Sequence, residues 1–273
     1  MTRAGAAGRA IGIFDSGVGG LTVFKRIAQR LPGENLCYLG DTARVPYGTK
    51  SADTVVRYAR SCAARLTERG IKLLVVACNT ASAYALETLA AELPVPVVGV
   101  VEPGAREAVR RSKNGRVGVI GTAGTVASGA YTRAIAALNP SIRVYSKACP
   151  LFVPLAEEGW TRGELPRTVA RTYLSGLAAR GIDTLVLGCT HYPLLRGPIA
   201  AAAGPGVRLV DSAQETAKAV EAVLHESGLL RGGTTPGKHH FLVSDSPATF
   251  ARVGARFLGH PLAGVEWVDV QTG

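Results

Sequence analysis

The sequence has no run of 18 or more apolar residues, whereas a membrane-spanning helix needs about 20. Residues 1–10 are small and basic but have no apolar stretch of the kind found in signal peptides. We interpret residues 1–10 as a flexible N-terminal extension. Without an export signal, the protein is expected in the cytoplasm and not at a membrane.

Paired cysteines are also missing. None of the five cysteines is spaced as Cys-x-x-Cys, and His239-His240 is the only short His pair. A disulfide framework and a zinc site are therefore not expected, which agrees with a reducing compartment. We interpret Cys37, Cys62 and Cys149 as buried apolar residues.

Motifs that bind common organic cofactors are incomplete. Gly17-x-Gly19 lacks the third glycine of the dinucleotide fingerprint, and Gly-Lys-Ser/Thr is absent. No lysine lies in a pattern that indicates a pyridoxal Schiff base. We predict that the protein uses no cofactor and no metal.

The net charge of +11 could indicate a nucleic-acid partner. However, the lysines and arginines are scattered along predicted helix faces, without a basic run or interleaved aromatic residues. We interpret the charge as a solvated surface that helps to attract an anionic substrate, and nucleic acid is not an expected partner.

Apolar runs alternate with amphipathic stretches along the chain, which predicts an α/β fold with mainly parallel sheets. The predicted strands are residues 9–14, 35–39, 71–77, 95–101, 116–120, 143–146, 184–188, 207–210 and 239–243, with a short final strand. The predicted helices are residues 21–30, 51–70, 81–93, 128–138, 166–180, 194–203, 215–225 and 247–258. The strands near Ile11, Cys78 and Val101 recur at a similar spacing near Val117, Cys189 and Val210, which indicates an internal duplication.

Two stretches, residues 73–83 and 184–194, share one pattern. In each, an apolar run typical of a buried parallel strand ends at Cys78 or Cys189, and an N-cap sequence then opens a predicted helix. Backbone N–H groups at the mouth of a helix favour the thiolate. Each cysteine is therefore a candidate nucleophile, and the two together suggest a pair that acts from two sides of one substrate.

Two facing thiols could form a disulfide, bind a metal, or act as an acid and a base. The spacing weakens the first alternative, and the lack of further ligands weakens the second. Inversion at the α-carbon of an amino acid fits the third, because it needs a base on one face and an acid on the other. A thiol with an ordinary pKa of about 8.5 can be tuned toward neutrality for this work.

Polar groups near the two cysteines match the needs of an amino-acid substrate. Asn79, Thr80, Thr190 and the backbone of Tyr47-Gly48 offer hydrogen-bond donors for a carboxylate. These donors flank both candidate nucleophiles.

Acidic and basic side chains at predicted turns could assist the thiols. Asp15 and Glu157 can supply a carboxylate, and His191 can form a hydrogen bond with Cys189 and ease its deprotonation. Each also has a structural interpretation, because Asp15 and Ser16 suit a turn and Glu157 suits a helix cap.

Four blocks of the sequence resemble the signature blocks of glutamate racemases, which belong to the cofactor-independent aspartate/glutamate racemase family. The blocks are Gly-Ile-Phe-Asp-Ser-Gly-Val-Gly-Gly-Leu at 12–21, residues 41–48, Ala-Cys-Asn-Thr-Ala-Ser-Ala at 77–83, and Gly-Cys-Thr-His-Tyr-Pro-Leu-Leu at 188–195. Residues 149–159 resemble a further block, and the resemblance covers about residues 11–260 in order. Members of this family supply D-glutamate for bacterial peptidoglycan.

The resemblance implies that Cys78 and Cys189 are the proton donor and acceptor, that Asp15 assists the first thiol, and that Glu157 and His191 assist the second. It also implies a set of substrate-binding residues. These are Asp15, Ser16, Pro46, Tyr47, Gly48, Asn79, Thr80, Thr122, Thr190 and His191.

The same resemblance implies two pseudo-symmetric α/β domains with the active site in the cleft between them. Residues 11–99 plus 208–263 would form the first domain, and residues 100–207 the second. It further implies glutamate as the substrate and a homodimer. A relative that acts on aspartate, a binding module for acidic amino acids and a basic nucleic-acid-associated protein remain as alternatives.

Overall fold

The computed structural model describes residues 3–233 and 235–270. Strands and helices alternate along most of this part of the chain, and no helix in it is long and apolar enough to cross a membrane. The strands are Ile11–Asp15 (β1), Leu36–Gly40 (β2), Leu73–Val76 (β3), Val97–Gly99 (β4), Arg116–Gly121 (β5), Arg143–Ala148 (β6), Thr184–Gly188 (β7), Arg208–Asp211 (β8), His239–Val243 (β9) and Val265–Trp267 (β10).

The α-helices connect and cover these strands. They are Arg3–Ala7 (α1), Leu21–Arg30 (α2), Ala52–Glu68 (α3), Asn79–Glu92 (α4), Val101–Arg111 (α5), Ala123–Ala127 (α6), Ala130–Leu138 (α7), Phe152–Glu157 (α8), Glu164–Ala178 (α9), Arg196–Ala203 (α10), Ser212–Glu226 (α11) and Pro247–Leu258 (α12). Short 3₁₀ helices lie at Thr42–Arg44, Tyr47–Thr49 and Tyr192–Leu195.

The strands form two parallel sheets, which confirms the predicted α/β fold. The six-stranded sheet has the order β10-β9-β2-β1-β3-β4, and the four-stranded sheet has the order β6-β5-β7-β8. Strands β1, β3 and β7 are buried along their whole length. Continuous burial is expected where helices cover both faces of a parallel sheet.

The order β2-β1-β3-β4 of the first sheet recurs as β6-β5-β7-β8 in the second. Strands β3 and β7, which precede the two candidate cysteines, therefore occupy equivalent places. This repeat agrees with the internal duplication predicted from the spacing of strands. It places Cys78 and Cys189 at the carboxyl ends of their strands, where parallel sheets bind ligands.

The C-terminal segment returns to the first sheet, where β9 pairs with β2 and β10 pairs with β9. The predicted boundary at residue 208 is wrong for one strand, because β8 pairs with β7 in the second sheet. Its residues Leu209 and Val210 are buried there. Strand β8 thus takes the edge position that β4 has in the first sheet.

Two helices were not predicted. Helix α5 begins at Val101, the last residue of the strand predicted at 95–101, and α8 lies between the predicted strand at 143–146 and the predicted helix at 166–180. Pro103 and Pro154 each lie in the first turn of their helix. A proline costs little in a first turn, because its missing N–H would have no intrahelical partner there.

The N-terminal extension is attached to the body of the protein over its described part. The carbonyl of Ala7 accepts a hydrogen bond from Lys72 Nζ at 2.7 Å, and the carbonyl of Gly8 accepts one from Asn35 Nδ2 at 2.9 Å. These bonds hold Ala7 and Gly8 against the body of the protein, and the flexibility of the segment stays a prediction. Residues 1 and 2 of that prediction lie outside the described residues.

A buried ion pair joins this extension to the first sheet. Lys72 Nζ lies 2.5 Å from Glu34 Oε2, and the two side chains are 1% and 2% exposed. Lys72 also donates to the carbonyl of Leu229, and the backbone N–H of Arg231 donates to Glu34 Oε1. Burial lowers the pKa of Lys72, although Glu34 opposes this shift. The pair and its hydrogen bonds thus join four separate segments of the chain, around residues 7, 34, 72 and 229–231.

We expect Lys72→Ala to lower the free energy of unfolding by about 3–5 kcal/mol, because it leaves the carboxylate of Glu34 buried without its cation. Urea denaturation measures the loss. Arg60→Ala is the matched control, since it breaks the exposed pair Arg60–Glu92, whose loss in water should change the stability far less. Equal losses in the two variants would contradict the assigned role of the buried pair.

Candidate active site

Cys78 and Cys189 line one cavity, which the predicted pairing of the two thiols requires. Its volume is about 60 Å³. The cavity lies where β3 and β7 end, so both halves of the repeat contribute to it.

Nearly all of the predicted site residues line this cavity. They are Ser16, Pro46, Tyr47, Gly48, Cys78, Asn79, Thr80, Thr122, Glu157, Cys189, Thr190 and His191. Gly17, Val45 and Val153 complete the lining and were not predicted. Gly17 and Val45 are chain neighbours of predicted residues, whereas Val153 lies on α8, a helix that was not predicted.

Cys78 is the N-cap of α4. Its Sγ accepts a hydrogen bond from the backbone N–H of Ala81 at 3.5 Å, and its thiol donates to Ser16 Oγ at 3.7 Å. Burial, followed by the charge of Asp15, raises the pKa of Cys78 to about 12. The expectation that the helix mouth would favour the thiolate is therefore wrong for Cys78, because burial outweighs the hydrogen bond.

Asp15 does not line the cavity and is fully buried behind it. Its Oδ2 accepts a hydrogen bond from the backbone N–H of Gly17 at 3.0 Å, and its Oδ1 has no hydrogen-bond partner within the described chain. Burial raises the pKa of Asp15, against the influence of His191. Asp15 is thus the one predicted site residue that is absent from this cavity lining in the described part of the chain. When Asp15 is ionised, its charge raises the pKa of Cys78.

His191 lies between Cys189 and Glu157. Its Nδ1 is 3.8 Å from Cys189 Sγ, and its Nε2 is 2.9 Å from Glu157 Oε1. Burial alone would lower the pKa of His191, but hydrogen bonds with Cys189 and Glu157 outweigh burial and raise it to about 10. The imidazolium therefore persists at neutral pH and places a cation beside Cys189.

Gly19 allows the Gly-rich turn after β1 to approach His191 closely. A Cβ at this position would overlap the ring of His191 and the hydroxyl of Thr190. Next to it, Thr22 Oγ1 donates to the carbonyl of Thr190 at 3.0 Å. The turn therefore joins the two halves of the molecule at the site.

Hydrogen bonds that cross the cleft orient the predicted carboxylate-binding side chains. Thr80 Oγ1 lies 2.9 Å from Thr122 Oγ1 and 3.2 Å from Thr125 Oγ1. Asn79 Nδ2 donates to the hydroxyl of Tyr131 at 2.8 Å. Thr125 and Tyr131 gave no sequence signal, because they touch the site only through these partners.

The loop that carries Tyr47 is held by the buried carboxylate of Asp41. Asp41 accepts hydrogen bonds from the hydroxyl of Tyr47, from Arg44 Nε at 2.7 Å and from Ser244 Oγ at 2.9 Å. The hydroxyl of Tyr47 is therefore directed at Asp41. Ser244 is distant in sequence, so its part in supporting the loop was not predictable.

The remaining cysteines are buried, as predicted, and all five cysteines are free thiols. Within residues 3–233 and 235–270, no group of three or more His, Cys, Asp or Glu side chains is arranged to hold a metal ion.

We expect Glu157→Gln to lower the pKa of His191, because a neutral amide no longer stabilises the imidazolium. Since folding raises this pKa from 6.5 to about 10, the charged ring contributes full stability below pH 6.5. That contribution is lost as the pH rises through about 10, and in the variant the loss should begin at lower pH.

An NMR titration of the histidine ring protons measures this change directly. Glu158→Gln is the matched control, because Glu158 is the exposed neighbour of Glu157 on the chain. A His191 titration that is the same in both variants would contradict the assigned role of Glu157.

Comparison with known proteins gives matches over almost the whole chain. A family model for Asp/Glu/hydantoin racemases matches residues 11–220. The glutamate racemase of Geobacter metallireducens is 60% identical over 263 residues, which cover 96% of this chain and 97% of the relative.

Two solved structures have the same fold throughout. The glutamate racemase of Francisella tularensis in complex with D-glutamate has a TM-score of 0.91 and 38% identity, and the match covers 97% of this chain and 98% of the other. A glutamate racemase of Bacillus anthracis has a TM-score of 0.90 and 39% identity, with 96% and 97% covered. The chain belongs to the Asp/Glu/hydantoin racemase family.

Proposed function

We propose that this protein is a glutamate racemase, which interconverts L- and D-glutamate by proton transfer at Cα and supplies D-glutamate for peptidoglycan synthesis. One observation carries the proposal. Two cysteines at equivalent places of a repeated unit, Cys78 after β3 and Cys189 after β7, line the same cavity. Inversion of an α-carbon requires such a pair, with an acid and a base on opposite faces.

The lining of the cavity supports an anionic amino acid as the substrate. Helix α4 begins at Asn79, beside Cys78, and the N-terminus of a helix favours negative charge. Hydroxyl groups of Thr80, Thr122 and Thr190 provide further donors. No lysine or arginine lines the cavity in the described part of the chain, so neutral donors and His191 bind the carboxylates.

In one direction of the reaction, the thiolate of Cys189 removes the Cα proton and becomes a thiol. The thiol of Cys78 donates its proton to the opposite face of the resulting carbanion and becomes a thiolate. The reverse direction uses the same two groups with their roles exchanged. Exchange of protons with solvent then restores the starting state.

Different neighbours assist the two thiols. The imidazolium of His191, held by Glu157, stabilises the thiolate of Cys189. The charge of Asp15 disfavours the thiolate of Cys78, which makes Cys78 a stronger base when it accepts a proton. One half of the site is thus stabilised by a cation and the other is activated by an anion.

Circular dichroism of the purified protein with L-glutamate, without added cofactor, tests the activity. The signal should decay to zero as the two enantiomers equilibrate, and L-aspartate should give no comparable decay. Faster decay with L-aspartate would indicate an aspartate racemase. Binding of L-glutamate without decay would favour the binding module.

Two further properties belong to the proposal. We propose a cytoplasmic location, where the five free thiols stay reduced, and a homodimer, as the resemblance to glutamate racemases implies. Light scattering during gel filtration measures the oligomeric state. A mass equal to one chain, 28.3 kDa, at working concentration would argue against the dimer.

We expect Cys78→Ala and Cys189→Ala each to lower kcat by at least about 10²–10⁴-fold, because each removes one of the two proton-transferring groups. The far-UV spectrum and the thermal midpoint should stay close to those of the parent protein. Cys37→Ala, at a buried cysteine on β2 away from the cavity, is the control and should keep its activity. A Cys78 and Cys189 double variant that still racemises glutamate would exclude the two-thiol mechanism.

A further inference from the structure

We propose that Arg256 and Phe257, neighbours on α12, act as positioning residues for the Glu157–His191 pair. The proposal rests on the proposed function, because it concerns the same site. Neither residue lines the cavity, and neither lies in the sequence blocks that predicted the site. Their contacts reach Glu157 from one side and His191 from the other.

Arg256 holds the backbone at the end of α8. Glu157 is the last residue of that helix, so its carbonyl has no partner within the helix. Arg256 Nη1 donates a hydrogen bond to this carbonyl, and a cation at a helix C-terminus is also favoured electrostatically. Its guanidinium lies over Gly159, where a Cβ would come within 3.4 Å of Arg256 Cζ.

Phe257 holds the ring of His191. The two ring centroids are 5.3 Å apart and the ring planes are at 86°, which is a T-shaped contact. Phe257 is only 3% exposed, so its ring is itself fixed by packing. Such a contact selects one orientation of the imidazole, and that orientation directs Nδ1 at Cys189 and Nε2 at Glu157.

Glu157 needs an external anchor because its side chain is 43% exposed. An exposed carboxylate has many rotamers, and its bond to His191 requires one of them. Fixing the main chain of Glu157 limits the positions that its carboxylate can reach. Arg256 therefore affects His191 through Glu157, without a direct contact between Arg256 and the ring.

The contacts of Arg256 and Phe257 with Glu157 and His191 span the cleft between the two halves. Helix α12 packs against β10, a strand of the first sheet, and against α2, a helix of the first half. Glu157 and His191 belong to segments of the second half, after β6 and β7. The pair is thus held in its working geometry only while the first half lies against the second.

The groups that face His191 are few, so its titration reports on this geometry. Cys189, Glu157 and Asp15 each act on it electrostatically, Thr190 Oγ1 lies 3.3 Å from its Nδ1, and Phe257 and Gly19 contact it without charge. Loss of the Arg256 cation would by itself raise the pKa of His191, so a lowered pKa in a variant at Arg256 would report that Glu157 has moved.

Arg256→Ala tests the proposal, with Arg252→Ala as the matched control. Arg252 is an exposed arginine about one turn earlier on the same helix. We expect Arg256→Ala to lower the pKa of His191 in an NMR titration and to lower kcat about 10- to 100-fold, with a smaller change in KM. Arg256→Lys should restore part of both, and Arg252→Ala should match the parent protein.

An unchanged His191 titration in Arg256→Ala would overturn the proposal, whatever happens to kcat. Phe257→Leu, which keeps an apolar side chain at a buried position, should alter the His191 ring-proton shifts without unfolding the protein, and unaltered shifts would remove Phe257 from the proposal. If the parent protein does not racemise glutamate, the proposed function fails. The NMR titration still decides the positioning role in that case.

Discussion

The close approach of the two halves across the cleft is the constraint on which the site depends. Gly48 illustrates how close it is, because a Cβ there would lie 2.6 Å from the Cβ of Thr122 on the other side. The hydrogen bonds from Thr22 to Thr190 and from Asn79 to Tyr131 cross the same boundary. The two cysteines that follow β3 and β7 can line one cavity only because no larger side chain separates the halves.

The strand order of one half repeats in the other, yet the two thiols have different neighbours. Both cysteines follow equivalent strands, but Cys78 faces the buried carboxylate of Asp15, whereas Cys189 faces the imidazolium of His191. Burial and an adjacent anion raise the pKa of Cys78 to about 12, whereas the ring of His191 lies 3.8 Å from the sulfur of Cys189. Two chemically identical residues thus lie in different electrostatic environments.

Local sequence predicted the strands and most of the lining of the cavity. The run Leu73–Val76 is apolar throughout and a cysteine follows two residues later. Both the strand and the site residue could therefore be predicted. The strand predicted at 95–101 is shorter than expected, and residues 101–111 form α5, which was not predicted. Partners such as Ser244 and Arg256 are brought to the site by the return of the C-terminal segment, and no local pattern encodes that contact.

The origin of the proton in the product tests the two-thiol account most directly. The measurement is the deuterium content at Cα of each separated enantiomer, early in a reaction of L-glutamate in deuterated water. The account predicts that the D-glutamate formed carries deuterium, while the remaining L-glutamate still carries protium, because the product receives its hydrogen from a second thiol that has exchanged with solvent. D-glutamate that retains the proton of the substrate would show one base serving both faces and would contradict the account.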